Sequence, residues 1–489
     1  MSGFLGKIKS HILISSLLLS VCLVGQFLLF SRSPFSEAYG GDEPQYVQMA
    51  THFIKYGNLP KATVLEKDVL EGKVMGTPKP RLFGYPFFIA FCNMYRFQPE
   101  HIRIRCALVQ FFLIVIVLGI LFAFACVFLG NTFWLYLIAM ALGLQPWAFE
   151  YARSLYPDSV TASFTSLGLI GLFLFLIAKK GMAEWASFFI ATLFLCLTFL
   201  FRPEMIVLVF LVMVFAAVSK VLKSKSWKYA PCFIAVFLIF FSFNVAYRYY
   251  FSGKVQIHSL YKIYQIERKG QMLWLNTWFS SEKIFQRLIE DAPHNHYENV
   301  YDNFYHKLPS YAFGDTYEKE QIGRAFEILE SKKKHTLETH QIFKVIAEKR
   351  IKENFSVNFL LTGFWRAAHL WINLETNSQL LNYLSTISKP IRRPILGGFL
   401  LLKLFIYFLA IFSVFALIKR MRRGELRTYD YMTLVMVVFI VLRTILIGPI
   451  LGFVNHRYVL VAWPAMLWCV ITGVIEFNTF CKNKASLSV

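Results

Sequence analysis

The chain has 489 residues, of which 56% are hydrophobic, 17% aromatic and 16% charged. This composition excludes an ordinary soluble enzyme, because soluble domains carry about a quarter charged residues. The 51 Lys and Arg residues exceed the 29 Asp and Glu residues and give a net charge of +22. In so apolar a chain, the expected anionic partner is a membrane surface or a phosphorylated lipid rather than nucleic acid.

Ten apolar stretches approach the length of about 20 residues that a helix needs to cross a bilayer. They cover residues 11–30, 106–129, 132–149, 158–178, 184–201, 204–219, 229–250, 394–418, 430–450 and 458–477. The first lacks a convincing small-residue cleavage site after it and is interpreted as a retained anchor. The expected fold class is an all-α integral membrane protein with about ten transmembrane helices.

The positions of Lys and Arg predict the orientation, because short cytoplasmic loops carry an excess of positive charge. With the N-terminus inside, the inner loops and termini contain Lys7, Lys9, Lys179, Lys180, Lys220, Lys223, Lys225, Lys228, Lys419, Arg420, Arg422, Arg423, Arg427, Lys482 and Lys484. The short outer turns contain only Arg153, Arg202 and Arg457. Both termini are therefore expected in the cytoplasm, and residues 31–105 and 251–393 outside.

This topology divides the chain into three regions. Residues 1–250 form an N-terminal membrane domain with seven spans and the first outer loop. Residues 251–393 form an extracytoplasmic segment that is mainly helical by pattern. Residues 394–489 form a C-terminal membrane region with three spans. Within the outer segment, the Trp-rich residues 359–372 are typical of a helix at the membrane interface, and it is left open whether residues 356–374 span the bilayer or lie on it.

Two adjacent carboxylates, Asp42 and Glu43, follow the first span. The apolar residues after them recur at helical spacing and predict an amphipathic helix on the membrane surface: Tyr46, Met49, Ala50, Phe53 and Ile54. A purely structural alternative is that Asp42 caps this helix, with Gln45 completing a capping box. That alternative does not explain why two carboxylates lie together so close to the membrane.

Basic residues precede the second span. Lys79, Arg81 and Tyr85 lie in a proline-rich stretch that leads into residues 87–91, an apolar run too short to span. Cations held next to the membrane suit a lipid phosphate. Contact with ordinary head groups explains them equally well.

Three further charged residues lie near the predicted outer surface or within a span. Asp158 begins the fourth span and is interpreted either as a helix cap or as a second functional carboxylate. Arg202 forms the turn between spans five and six. Arg443 lies about 10 Å deep in the ninth span at ~1.5 Å per residue, where it either binds a phosphate or snorkels to the surface. The spans contain almost no acids, which argues against a proton- or sodium-coupled transporter.

These motifs, taken in order, resemble a known superfamily. They are Asp42, Glu43 and Tyr46; the Pro-Lys-Pro-Arg and Tyr-Pro stretch; Tyr156, Pro157 and Asp158; Arg202 and Pro203; and His456, Arg457, Tyr458 and Pro464. The pattern is similar to the GT-C integral membrane glycosyltransferases, and within them to the group of dolichyl-phosphate-mannose protein mannosyltransferases and the bacterial aminoarabinose transferase of lipid A. The similarity extends from residue 36 to residue 464. Asn455 and His456 depart from it, because many members have a Glu before the final Arg-Tyr.

The resemblance implies a membrane glycosyltransferase that moves a sugar from a polyprenyl-phosphate donor to an extracytoplasmic acceptor. It implies Asp42 as the general base, assisted or oriented by Glu43. Asp158 positions the acceptor or, together with Asp42, holds a divalent cation, although the sequence supports no complete metal site and no cofactor is certain. The residues expected at the lipid phosphate or substrate are Lys79, Arg81, Tyr85, Arg202, His456, Arg457, Tyr458 and Arg443.

Two other functions would use similar residues. A lipid-linked sugar flippase or transporter also needs a basic cavity, and a surface oligosaccharide ligase would rely on outer Arg and His residues. The expected location is a bacterial inner membrane, with the active site on the extracytoplasmic side and membrane lipids as partners. The sugar and the class of acceptor are not predicted.

Overall fold

The computed structural model describes most of the chain. The described ranges are residues 2–32, 43–60, 82–94, 98, 101–130, 132–144, 149, 152–178, 181–202, 205–224, 228–252, 269–278, 305, 308–332, 336–372, 389–445 and 460–486. Every regular element in these ranges is a helix. The all-α fold class predicted from the sequence is therefore confirmed.

Sixteen α-helices are numbered here in chain order over the described ranges. They are α1 Ser2–Arg32, α2 Glu43–Tyr56, α3 Gly84–Asn93, α4 Ile102–Leu129, α5 Trp134–Gly143, α6 Asp158–Ile177, α7 Met182–Phe201, α8 Met205–Ser224, α9 Tyr229–Ser252, α10 Lys269–Asn276, α11 Thr316–Lys332, α12 Leu337–Glu353, α13 Thr362–Ile372, α14 Lys389–Arg423, α15 Thr428–Ile445 and α16 Trp463–Ser486. A 3-10 turn, Ser310–Ala312, precedes α11, and a π-helical segment, Ser356–Leu361, precedes α13.

Seven helices of the described chain are long and apolar enough to cross a membrane: α1, α4, α6, α7, α9, α14 and α16. Each of them coincides with a span predicted from the sequence, so the chain is a multi-pass integral membrane protein. The other three predicted spans are also helical. Of these, α5 has 10 residues and is about 15 Å long at ~1.5 Å per residue, which is half of a bilayer core of about 30 Å.

Glycines allow the membrane helices to pack closely. Gly171 of α6 lies against α7, where an added Cβ would be 2.8 Å from the backbone nitrogen of Ala191. Gly473 of α16 lies against α14, where an added Cβ would overlap the carbonyl oxygen of Leu409. Lipid tails are as apolar as the helices, so association in a membrane depends on such close packing rather than on hydrophobic burial.

Polar contacts join helix ends that the sequence places on the same side of the membrane. On the predicted inner side, the pairs are His11 with Tyr136, Trp134 with Asn478, and Arg420 with Asp430. The contacts on the predicted outer side form the candidate site described below. The helix bundle thus has polar contacts at its two ends and a large apolar core between them.

Residues of the second outer segment have a hydrophobic core of their own. We call residues 269–278, 305, 308–332 and 336–353 the outer helical module. Trp274, Phe326 and Phe343 form its centre. The guanidinium of Arg350 is also buried, and its Nε donates to Oε2 of Glu318 at 2.8 Å. The module therefore contains a buried, hydrogen-bonded ion pair as well as an aromatic core.

The close contact at Gly473 leads to a first prediction. We expect Gly473→Ala to lower the free energy of unfolding by about 1–3 kcal/mol, because overpacking forces the α14 backbone to move. Gly119→Ala is the matched control, since an added Cβ at Gly119 meets nothing within 4 Å and Ala favours a helix by about 1 kcal/mol. Thermal unfolding in detergent micelles measures both. A midpoint for Gly473→Ala equal to or above that of Gly119→Ala would contradict the packing described.

Candidate active site

Glu43 begins α2 and uses both of its carboxylate oxygens to join other elements. Its Oε2 accepts a hydrogen bond from Nη2 of Arg103 at 2.5 Å. Its Oε1 accepts one from the backbone nitrogen of Leu155 at 2.8 Å. Arg103 lies in the first turn of α4, and Leu155 lies just before α6. Glu43 is buried and therefore ties three parts of the chain together.

The segment before α6 is also held by Gln110 of α4. Its Nε2 donates to the carbonyl oxygens of Ala152 at 2.9 Å and Ser154 at 3.2 Å. Its Oε1 accepts from the hydroxyl of Tyr85 at 3.3 Å. Buried carbonyl groups outside a helix need such donors. The turn that leads to Asp158 is thus fixed by side chains from two helices.

Asp158 is the first residue of α6 and is 0% exposed. Its Oδ1 forms an ion pair with Arg202, which follows the last residue of α7. Its Oδ2 is buried and has no hydrogen-bond partner among the residues that the structure describes. The residue before the helix is Pro157, and no side chain caps it, so the cap interpretation of Asp158 is wrong. A buried carboxylate oxygen left in this state is an acceptor for a hydroxyl proton or another donor.

Arg443 lies beside the turn that contains Arg202. The backbone nitrogen of Met205 donates to the carbonyl oxygen of Arg202 at 3.0 Å. Nη1 of Arg443 lies 3.8 Å from the sulfur of the same Met205. Arg443 is 1% exposed, so its side chain lies within the protein rather than extending to the membrane surface. Arg443 therefore lies against the first residue of α8, which directly follows the turn containing Arg202.

The four residues Glu43, Arg103, Asp158 and Arg202 are named here the outer ion-pair cluster. One hydrophobic cluster supports both pairs and consists of Tyr46, Ala50, Tyr85, Phe88, Ile89, Ala90, Ile102, Cys106, Leu155, Val160 and Phe201. Ile102 and Phe201 in this set adjoin Arg103 and Arg202 in the chain. The helix ends that bear the four charges therefore pack on a common core.

Tyr85 lies inside this core rather than at its edge. It is fully buried, and its ring meets that of Tyr46 edge-to-face with centroids 5.1 Å apart. Burial, followed by the nearby Cys106 and Glu43, raises the pKa of Tyr85 well above its ordinary value. Its hydroxyl therefore remains a donor to Gln110 at neutral pH. The substrate-binding role predicted for Tyr85 stays a prediction.

The described residues contain part of the site that the sequence predicts. Glu43, Asp158 and Arg202 come together with Arg443 and Tyr85. Asp42, Lys79, Arg81, His456, Arg457 and Tyr458 lie outside the described residues, although Asp42 directly precedes Glu43 in the chain. Within the described ranges, no group of three or more His, Cys, Asp and Glu side chains is arranged to hold a metal ion.

Sequence reasoning missed two residues that position the site, Arg103 and Gln110. Arg103 is one of two arginines at the start of α4, and nothing in the sequence distinguishes it from Arg105. In the structure, Arg105 turns away and donates to Gln98 at 3.1 Å. Gln110 lies within a predicted span, where a buried amide must find partners. A single polar side chain within an apolar stretch could therefore have indicated that Gln110 binds other buried polar groups.

Comparison with known proteins gives a limited result. No family model and no curated protein matches the chain. The solved structure of ArnT from Cupriavidus metallidurans in the apo state matches the chain with 13% sequence identity and a TM-score of 0.33. The match covers 94% of this chain and 76% of that chain. The same protein bound to undecaprenyl phosphate matches with 12% identity, 94% and 77% coverage, and a TM-score of 0.34.

Both TM-scores are low. The function of this chain is therefore argued from its own residues.

The contacts of Glu43 lead to a second prediction. We expect Glu43→Gln and Arg103→Gln each to lower the free energy of unfolding by roughly 3 kcal/mol, because each leaves a mostly buried charge without its opposite. The double variant should lose much less than the sum of the two. Denaturation of the four proteins in detergent gives the coupling energy. Additive losses would show that the pair does not stabilise the site.

Proposed function

We propose that the chain is a membrane glycosyltransferase. It moves a sugar from a polyprenyl-phosphate donor to an acceptor on the predicted outer side of the membrane. The order of the motifs supports this assignment from the sequence. The convergence of Glu43, Asp158, Arg202 and Arg443 at one end of the helix bundle supports it from the structure.

The observation that carries the proposal is how the two carboxylate oxygens of Asp158 are bonded. One of its oxygens is neutralised by Arg202, and the other is buried without a hydrogen-bond partner in the described part of the chain. Leaving a buried carboxylate oxygen in this state costs stability unless a ligand uses it. An acceptor hydroxyl is the ligand that glycosyl transfer would bring to it.

The proposed reaction is a single displacement at the anomeric carbon. The acceptor oxygen forms a bond to that carbon, and the bond from the carbon to the phosphate oxygen breaks. Asp42 takes the hydroxyl proton as general base, while Glu43 fixes the start of α2 and so orients Asp42. Asp158 positions the acceptor. The electron pair of the broken bond goes to the lipid phosphate, and inversion of configuration follows if there is one displacement.

Cations stabilise the phosphate as its negative charge grows in the transition state. Arg202 and Arg443 are the candidates within the described residues. The further candidates at the phosphate or substrate are Lys79, Arg81, Tyr85, His456, Arg457 and Tyr458. Asp158 is already paired with Arg202, and no step of the proposed reaction uses a metal ion.

The proposal assigns a task to each region of the chain. Residues 1–250, with the first outer loop 31–105, carry the catalytic groups. Residues 251–393 select the acceptor, and residues 394–489 complete the membrane region and supply Arg443. The proposed location is a bacterial inner membrane with the site facing outward. The proposed acceptor is a cell-envelope lipid, glycan or protein.

A third prediction tests these roles in cells that lack the protein. We expect Asp42→Asn to reduce the glycosylated product at least about 100-fold, because general acid–base catalysis contributes roughly 10²–10⁴-fold. We expect a loss on the order of 100-fold with Asp158→Asn, because misplacing a reacting group by about 1 Å has that effect. Mass spectrometry of cell-envelope glycans and lipids measures the product. Immunoblotting of membranes verifies that each variant is inserted.

Asp315→Asn is the matched control for both variants. Asp315 is an exposed carboxylate of the outer helical module, and its Oδ1 accepts from the backbone nitrogen of Glu318 at 2.7 Å. Asn serves equally well at such a helix start, so product levels should not change. Near-normal product with Asp42→Asn and Asp158→Asn would refute the transferase mechanism. Movement of donor lipid with no new glycosidic bond would instead identify a flippase.

A further inference from the structure

The segment between the outer helical module and α14 exposes a row of large apolar side chains. They are Phe355, Val357, Leu360, Leu361, Phe364 and Trp365. Val357, Leu360, Leu361, Phe364 and Trp365 recur at i, i+3, i+4, i+7 and i+8, which places them on one helical face, and Phe355 precedes them. Each is between 46% and 63% exposed. No charged side chain interrupts this row, which we call the apolar face.

The opposite side of the same segment is attached to the outer helical module. Nη1 of Arg366 donates to the carbonyl oxygen of Asn276 at 2.8 Å, and Arg366 is fully buried. Nδ2 of Asn358 donates to the carbonyl oxygen of Arg350 at 2.7 Å. These two bonds hold both the start and the middle of the segment on the module. The segment therefore does not leave the module to cross the bilayer.

The end of the segment is attached to the membrane helices. Nε1 of Trp371 donates to Oγ1 of Thr444 in α15 at 3.0 Å. The hydroxyl of Tyr407 in α14 donates to the carbonyl oxygen of Trp371. Tyr407 lies within a stretch of α14 that is long and apolar enough to span. The C-terminal end of the segment thus contacts a helix that is long and apolar enough to lie among lipid tails.

We propose that residues 355–372 form a membrane-docking surface, with the apolar face inserted among the lipid acyl chains of the outer leaflet. Three features favour lipid acyl chains as the partner of this face. They are its amphipathic pattern, the Trp at its edge and the contact of the segment with α14. The insertion fixes the outer helical module against the bilayer through Arg366 and Asn358. This docking surface is independent of the proposed transferase activity.

Photo-crosslinking tests the docking surface directly. In separate variants, p-benzoyl-phenylalanine replaces Phe364 or Leu360, and the purified full-length protein is reconstituted into vesicles of phosphatidylethanolamine and phosphatidylglycerol. Irradiation followed by mass spectrometry of the peptides detects covalent lipid adducts. The matched control is the same replacement at Tyr317, which is 62% exposed on the outer helical module, compared with 63% for Phe364.

We expect lipid adducts at Phe364 and Leu360 and none at Tyr317. Only variants that elute as a single species in detergent are compared, and the two apolar positions provide independent trials. Lack of a lipid adduct at both positions would overturn the proposal. Equal adduct formation at Tyr317 would also overturn it, because the apolar face would then be no closer to lipid than the rest of the module.

Discussion

Buried charge at the ends of apolar helices is the constraint on which this structure depends. Removing an ion from water costs several kcal/mol unless an opposite charge and hydrogen bonds compensate it. On the predicted inner side, one network compensates its carboxylates: Asp430 accepts from Arg420 and from the backbone of Arg427, and Glu476 accepts from Tyr429 and pairs with Arg420. On the predicted outer side, Asp158 has Arg202 on one oxygen only, within the residues described. The inner network therefore stabilises the fold, whereas the outer cluster keeps an acceptor for a ligand.

The charged side chains of the outer ion-pair cluster are held in place by contacts with neighbouring helices. Glu43 locks α2 to α4 and to the turn before α6, and Gln110 fixes the same turn. Gly84 brings α3 so close to α7 that an added Cβ would be 2.6 Å from the carbonyl oxygen of Leu200. Such support is what a catalytic carboxylate needs to keep its geometry. In the proposed mechanism, Glu43 is consequently a positioning residue, and Asp158 has the carboxylate oxygen that no described residue binds.

The fold was largely predictable from the sequence, since each of the ten predicted apolar stretches contains a helix in the structure. The short length of α5 could not be predicted in this way. The apolar stretch continues past Gly143, where the helix ends, so its composition does not mark the helix end. Part of the site was also predictable: Asp158 and Arg202 were recognised from motifs. Their mutual pairing and the roles of Arg103 and Gln110 depend on how α4, α6 and α7 pack. Contacts between residues 44 to 112 positions apart leave no signal in one sequence.

The most direct measurement of the central claim uses the purified protein in proteoliposomes with polyprenyl-phosphate-linked sugars and acceptors extracted from the same cells. Released polyprenyl phosphate and glycosylated product are quantified together. We expect one polyprenyl phosphate to be released for each sugar transferred, and both to be lost with Asp158→Asn. Transfer of intact donor across the bilayer without release of polyprenyl phosphate would contradict it.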